Sequence, residues 1–249
     1  MLFPALLAPA DDRADKLAAA GVAEFTAAYQ AWDGARFGAA AELFRQASTN
    51  TPTSSTYSYW LGTSEFHRML QLRSLPPSHT NTLAAEAAMD AALAALEIAV
   101  KLDERDAESH ALLGTLYGMK INGNLLRAAL FGPRVAKHQK RAMEFGAEDP
   151  RVQYLLGTCL FHTAKKRAEQ REALTTFLAA EKLFAAEAKH AGGPLEPRWG
   201  RSSCITFIGR TYELLDQRAE AADYFRRALA AHPADRLAKE GLARVAEKK

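Results

Sequence analysis

Three times in this chain of 249 residues an alanine is followed fifteen positions later by a glycine that sits behind a leucine: Ala47 to Leu61-Gly62, Ala99 to Leu113-Gly114 and Ala142 to Leu156-Gly157. Ile208-Gly209 repeats the dipeptide near the C-terminus. A spacing held so closely means that the chain is built from copies of one supersecondary unit, none of which buries its apolar face alone. The alanines sit in a pattern of their own: Ala40, Phe44, Ala47 and then Pro52; Ala92, Leu96 and Ala99; Ala173, Phe177 and Ala180; Ala221, Phe225, Ala228 and then Pro233. Steps of four and three put these residues on one helical face, and a proline five positions on ends the helix. The glycine then belongs to the first helix of the next unit, where a missing side chain lets the paired helix come close.

The pattern resembles the tetratricopeptide repeat. The resemblance implies an all-α chain: an α-solenoid of about five helical hairpins with a C-terminal capping helix over residues 234–249, the repeat array running from 13 to 249. First helices are expected near 55–73, 106–120, 150–165 and 200–216. A first hairpin is degenerate, with Phe25, Ala28, Tyr29 and Trp32 at helical spacing and Gly34 turning the chain toward Phe37, as end units of stacked arrays often are. Within hairpins the glycine-to-alanine distance is 19 from Gly209 to Ala228 but 37, 28 and 23 in the three before it. The longer ones are expected to carry insertions as loops, at Pro76–Asn81 and Ile121–Asn124, with Gly192-Gly193-Pro194 as a further loop between hairpins.

A narrower likeness covers residues 107–233. The runs His110-Ala111-Leu112-Leu113-Gly114, Gly132-Pro133, Asp149-Pro150-Arg151-Val152 and Pro197-Arg198-Trp199-Gly200 resemble those of a group of uncharacterised bacterial tetratricopeptide proteins, frequently exported. That group carries a Gly-rich stretch where this chain has Lys165-Lys166-Arg167-Ala168-Glu169-Gln170.

Lys plus Arg number 32 against 29 Asp plus Glu, a net charge of +3. That is too slight to mark a nucleic-acid surface. No apolar run reaches the roughly 20 residues that span a bilayer, so no integral membrane segment is expected. Residues 1–12 form an apolar N-terminal segment whose small residues before Asp11-Asp12 fit a truncated export signal or an apolar arm; export is slightly favoured over a cytoplasmic location. The two cysteines, Cys159 and Cys204, give no disulfide framework and are expected as free thiols.

Counting the glycine as position 8, the resemblance implies that positions 2, 5, 9, 12 and 13 of each first helix point into a concave groove. The peptide-binding candidates are then Tyr59, Thr63, Phe66 and His67 in the second repeat and Thr115 and Met119 in the third. Arg151, Tyr154, Thr158, Phe161 and His162 follow in the fourth, and Arg210 in the fifth. Tyr, Thr, Phe and His recur in the second and fourth. Aromatic rings supply contact area at low entropic cost, and a methionine adapts to its ligand. The alternative is that these rings pack against neighbouring hairpins. Arg151 and Arg210 are each suited to one acidic group. His67 and His162, beside Phe66 and Phe161, are expected to titrate near pH 6.5.

Arg134, Lys137, His138 and Arg141 fall at helical spacing on one face, read as a solvated convex surface or a site for an anionic lipid or partner. Catalytic motifs are missing: there is no phosphate-cradling Gly loop, zinc-binding His pair or nucleophile elbow. Cys159 and His162 are three apart, but cysteine stands where the repeat places a small buried residue. No enzyme activity, cofactor or metal is expected. The reading is a non-enzymatic adaptor or scaffold whose concave groove holds a protein or peptide, with no nucleic acid. The alternative is a structural helical subunit of an envelope or secretion assembly.

Overall fold

A computed structural model of the protein describes residues 10–247, and among these it forms eleven α-helices and no strand. They are α1 Ala10–Ala31, α2 Gly34–Asn50, α3 Ser55–Ser74, α4 His79–Leu102, α5 Ala107–Ile121, α6 Leu125–Gly146, α7 Pro150–Thr163, α8 Arg167–Glu187, α9 Arg201–Leu214, α10 Arg218–Ala231 and α11 Arg236–Glu247. The architecture is the expected all-α solenoid of hairpins, and the four first helices fall within two residues of their expected bounds. Most of the apolar segment 1–12 lies outside the described residues.

Local chemistry fixes most helix starts. Asp33, Ser54, Ser78, Asp106, Asn124 and Asp149 each cap a helix with a side-chain oxygen that accepts a backbone N–H of the first turn, satisfying donors the helix itself leaves open. Pro150 occupies the first position of α7, where its missing N–H costs nothing. Before α8 the Glu169 carboxylate accepts from Lys165 N at 2.6 Å and Lys166 N at 3.1 Å.

Of the expected insertion loops, Ile121–Asn124 is a turn, with residues 122–124 between α5 and α6, whereas Pro76–Asn81 is partly helix. Pro76–Asn81 contributes only the turn before Ser78; His79 to Asn81 form the first turn of α4. Asn81 N donates to Ser78 Oγ at 3.0 Å, and the alanine-rich run beyond continues the helix to Leu102. The added residues therefore lengthen α3 and α4 to 20 and 24 residues and α6 to 22. Between α8 and α9 a true loop remains, tied back by Arg198, which donates to Glu187 O at 2.9 Å and His190 O at 3.1 Å.

The chain forms two compact units, one of residues up to Glu104 with Gly193–Glu196, the other of Arg105–Gly192 and Pro197 onward. The first holds hairpins α1/α2 and α3/α4. Phe25, Phe37, Phe44 and Trp60 are buried in its centre, Phe44 stacked on Trp60 at 5.5 Å, and Trp60 Nε1 donates to Leu195 O at 2.9 Å. The second holds hairpins α5/α6, α7/α8 and α9/α10, closed by α11. Phe177 and Phe225 are fully buried there, and each ring lies where a side chain on Gly157 or Gly209 would stand, 2.6 and 2.9 Å from an added Cβ. The repeated glycine thus has the close-approach role its spacing implied.

Candidate functional site

In the second unit α7, α9 and the capping helix α11 surround a cleft of about 490 Å³. Phe161 contributes from α7, Arg210, Glu213 and Leu214 from α9, and Arg244 and Val245 from α11. Along α9, Ser203, Phe207, Arg210 and Leu214 succeed one another at steps of four, three and four, one stripe of a helix. This stripe aims Arg210 and Leu214 at the cleft and sets Phe207 beneath them.

Arg210 is the centre of the site. Its guanidinium carbon lies 4.8 Å from both the Phe161 and the Phe207 ring centroids, and those rings meet edge to face at 5.3 Å. Two aromatic faces hold the planar cation in place and take it partly out of water. Burial lowers its pKa, with the Arg244 charge next in importance. Among the described residues no carboxylate pairs with Arg210, because Glu213 gives its two oxygens to Arg244 at 2.8 and 2.9 Å. His162 meets Phe161 and Phe207 edge to face at 5.2 and 5.9 Å. Burial, then the nearby Arg210 charge, lowers its pKa, so it is a neutral imidazole at pH 7. Tyr154 is buried beneath, its ring against Phe177, Trp199 and Phe207.

Other groove candidates stand elsewhere. Arg151 is 3% exposed and holds acidic groups of its own chain: Nε donates to Glu108 at 2.7 Å, and the two terminal nitrogens donate to Glu187 at 3.2 and 2.5 Å. Thr158 is buried and donates to Leu155 O at 2.7 Å. Thr115 is half-buried, donates to Ala111 O at 2.9 Å, and borders an interior gap of about 10 Å³. Met119 is half-buried near the end of α5.

In the first unit Tyr59, Thr63, Phe66 and His67 are all buried. The His67 ring is surrounded by Phe25, Tyr29, Phe37 and Phe66, with Nδ1 2.8 Å from Thr63 O. Burial pushes its pKa down to about 4, which corrects the expectation of titration near pH 6.5. His138 departs from expectation too. Instead of lying on a solvated face with Arg134, Lys137 and Arg141, it is buried with Nδ1 2.8 Å from Nδ1 of His110. Burial, then the charges of His110, Lys137 and Arg134, push its pKa down to about 4.

Neither cysteine is poised as a nucleophile. Cys159 accepts from Gln139 Nε2 at 2.9 Å and its pKa is raised by burial; burial pushes Cys204 up further. A nucleophilic thiol needs the opposite shift. Sequence reading missed Phe207, Arg244 and Val245. The first was accessible, since it stands three residues before Arg210 and four after Ser203; the other two come from the capping helix, outside the repeat register.

No family model matches the chain, and neither does any curated protein. Solved structures do. A chain of the APC/C hetero-tetramer Cut9–Hcn1 superposes with a TM-score of 0.65 at 18% identity over 96% of this chain, which spans 38% of that one. TTC0263, a thermophilic TPR protein of Thermus thermophilus, superposes with a TM-score of 0.61 at 15% identity over 91% of this chain and 99% of its own. With the glycine-to-aromatic hairpin contacts above, these superpositions give the chain the tetratricopeptide-repeat fold.

Proposed function

We propose that this protein is a non-enzymatic adaptor that holds a segment of another polypeptide, and that the α7/α9/α11 cleft receives an acidic residue or a C-terminal carboxylate of that segment on Arg210. The observation that carries this is a guanidinium stacked between Phe161 and Phe207, facing a cleft of about 490 Å³, while the nearest glutamate of its own helix is committed to Arg244. A stacked guanidinium keeps its donor edge for a planar carboxylate, and its orientation is fixed before binding. Leu214 and Val245 supply apolar contact beside it. Neutral His162 adds a hydrogen-bonding group without adding charge. Met119 and Thr115 on α5 extend the proposed contact along the first helices of the same unit.

Selection from a peptide library displayed on phage tests this. Wild type is expected to enrich peptides with Asp, Glu or a free C-terminus at one fixed position, and Arg210→Gln to lose that enrichment while keeping the fold. Loss of one charge-assisted contact of about 1.5–3 kcal/mol corresponds to a ten- to hundred-fold weaker peptide. Enrichment of peptides without a carboxylate, or enrichment unchanged in Arg210→Gln and Phe161→Ala, would refute the reading.

A further inference from the structure

The first half of α6 presents a second surface, separate from the cleft. Leu125 is 87% exposed, Leu126 84% and Leu130 62%, and no other large apolar side chain among the described residues exceeds 52%. At 3.6 residues per turn, Leu125, Leu126, Ala129, Leu130 and Pro133 form one stripe. His138 and Ala142, which are buried, lie on the opposite face, toward α5. The leucines therefore point away from the face that α6 packs inward.

Charge accompanies the stripe. From Glu108 to Glu144 the sequence contains no other acidic residue, but it carries Lys120, Arg127, Arg134, Lys137, Lys140 and Arg141. Arg127, Arg134 and Arg141 follow one another at steps of seven and so line one edge of the stripe. Arg134 lies over the Tyr117 ring at 5.2 Å, and Lys120 over Phe131 at 5.9 Å. Beside the stripe the surface is open: a Cβ placed on Gly132 meets no atom within 4 Å.

We propose that this face of α6 docks on an anionic lipid bilayer, the leucines entering the headgroup boundary and the Lys and Arg side chains meeting lipid phosphates. Three prominent leucines on a convex helix lack the walls that a peptide groove requires, whereas a bilayer supplies its own apolar volume to a protruding stripe. Six cations and no anion over the same stretch match a negative lipid surface, and their attraction falls off within a Debye length, so docking is sensitive to salt.

Co-sedimentation of the full chain with vesicles tests this, using phosphatidylcholine alone and an equimolar mixture with phosphatidylglycerol. Binding is expected to the mixed vesicles only and to weaken as sodium chloride is raised. Leu125→Ser/Leu126→Ser/Leu130→Ser should lower the partition coefficient on the order of tenfold or more. Arg127→Gln/Arg134→Gln/Arg141→Gln should weaken binding and flatten its salt dependence. Arg134 lies over the Tyr117 ring and Arg141 pairs with Glu144 at 3.3 Å and lies over Phe145 at 5.5 Å, so thermal melts are used to check that each variant is folded. A second readout is Leu126→Trp, whose emission, taken as the difference from the wild-type chain with its three tryptophans, should move to the blue on mixed vesicles. Failure to bind mixed vesicles at low salt overturns the proposal, as does binding that the leucine variant retains in full. A dimer in sedimentation equilibrium that dissolves in the leucine variant, without vesicle binding, would assign the face to a second copy of the chain instead.

Discussion

Acidification should weaken the first unit through one side chain. His67 lies among four aromatic rings with centroids 5.1 to 5.6 Å away, and burial holds its pKa at about 4 against 6.5 in the ordinary state. The folded chain thus keeps the imidazole neutral where the unfolded chain takes up a proton. With the folded value depressed, stability is complete above about pH 6.5 and is lost as pH falls from there toward 4. Each pH unit in that window costs about 1.4 kcal/mol, so moving from pH 7 to pH 5 removes about 2 kcal/mol through His67 alone. Urea unfolding followed by tryptophan fluorescence reports this region, because Trp32 and Trp60 ring-pack with Phe37 and Phe25, which border His67. The informative quantity is a double difference: the stability lost between pH 7 and pH 5 in wild type, minus the loss in His67→Phe. Changes in packing cancel between the two pH values, and so do His138 and His162, present in both proteins. A difference near 2 kcal/mol is expected; equal losses would mean that His67 does not hold its proton equilibrium as its surroundings require.

Further expectations concern packing and reactivity in the second unit. Arg151→Met takes the bridging cation from Glu108 and Glu187, 13% and 16% exposed, with Glu187 still 4.0 Å from Arg198, and should cost about 3 kcal/mol in denaturant unfolding, with part recovered by adding Glu108→Gln and Glu187→Gln. Gly157→Ala puts a methyl 2.6 Å from the buried Phe177 ring and should lower stability by about 1–3 kcal/mol despite alanine's better helix propensity; an increased melting temperature would contradict the close-approach role. An aromatic disulfide reagent at pH 8 should modify Cys159 slowly and Cys204 only on unfolding, since burial raises both pKa values and Cys204 is fully enclosed. Rapid labelling of Cys204 in the native state would contradict its position against Phe177 O.

The repeat register was legible because it is set by short-range geometry. A glycine that must admit an aromatic ring, and an alanine or phenylalanine that must face a core, recur at fixed spacing whatever the partner. The runs His110–Gly114, Asp149–Val152 and Pro197–Gly200, which carry the narrower likeness, have physical roles of the same structural kind. His110 pairs with His138, and Asp149 caps α7, accepting from Arg151 N and Val152 N at 2.7 and 3.1 Å. Trp199 packs on Tyr154, and Gly200 begins α9 with a φ of 101° that other residues rarely adopt. Whether a groove position ends up inside or outside was not legible. His67 and His162 hold the same register position, yet the first is surrounded by α1 and α2 aromatics while the second is exposed beside Phe161 and Phe207. Registers assign direction along a helix; the neighbours that cover it come from elsewhere in the chain.

Departures from the unit length tell more about use than the repeats themselves. A hairpin needs its second helix only as long as the first, yet α6 runs 22 residues against 15 in α5. Added turns that served stability would bury their apolar residues; these expose Leu125, Leu126 and Leu130, at a cost in water that folding alone does not recover. The same reasoning applies to Arg210. A guanidinium kept between two rings without a carboxylate is less favourable than one paired as Arg151 is, with Glu108 and Glu187. Replacing Leu214 by Glu offers Arg210 such a partner from the next turn, four residues on, worth a few tenths of a kcal/mol, but adds a carboxylate at the C-terminal end of α9, where the helix dipole disfavours it by a similar amount; stability should stay within about 1 kcal/mol of wild type while the cleft is filled with the chain's own carboxylate. Under the adaptor reading Leu214→Glu therefore loses acidic-peptide binding with little change in stability. A folded Leu214→Glu variant that binds acidic peptides as well as wild type would separate Arg210 from the binding site.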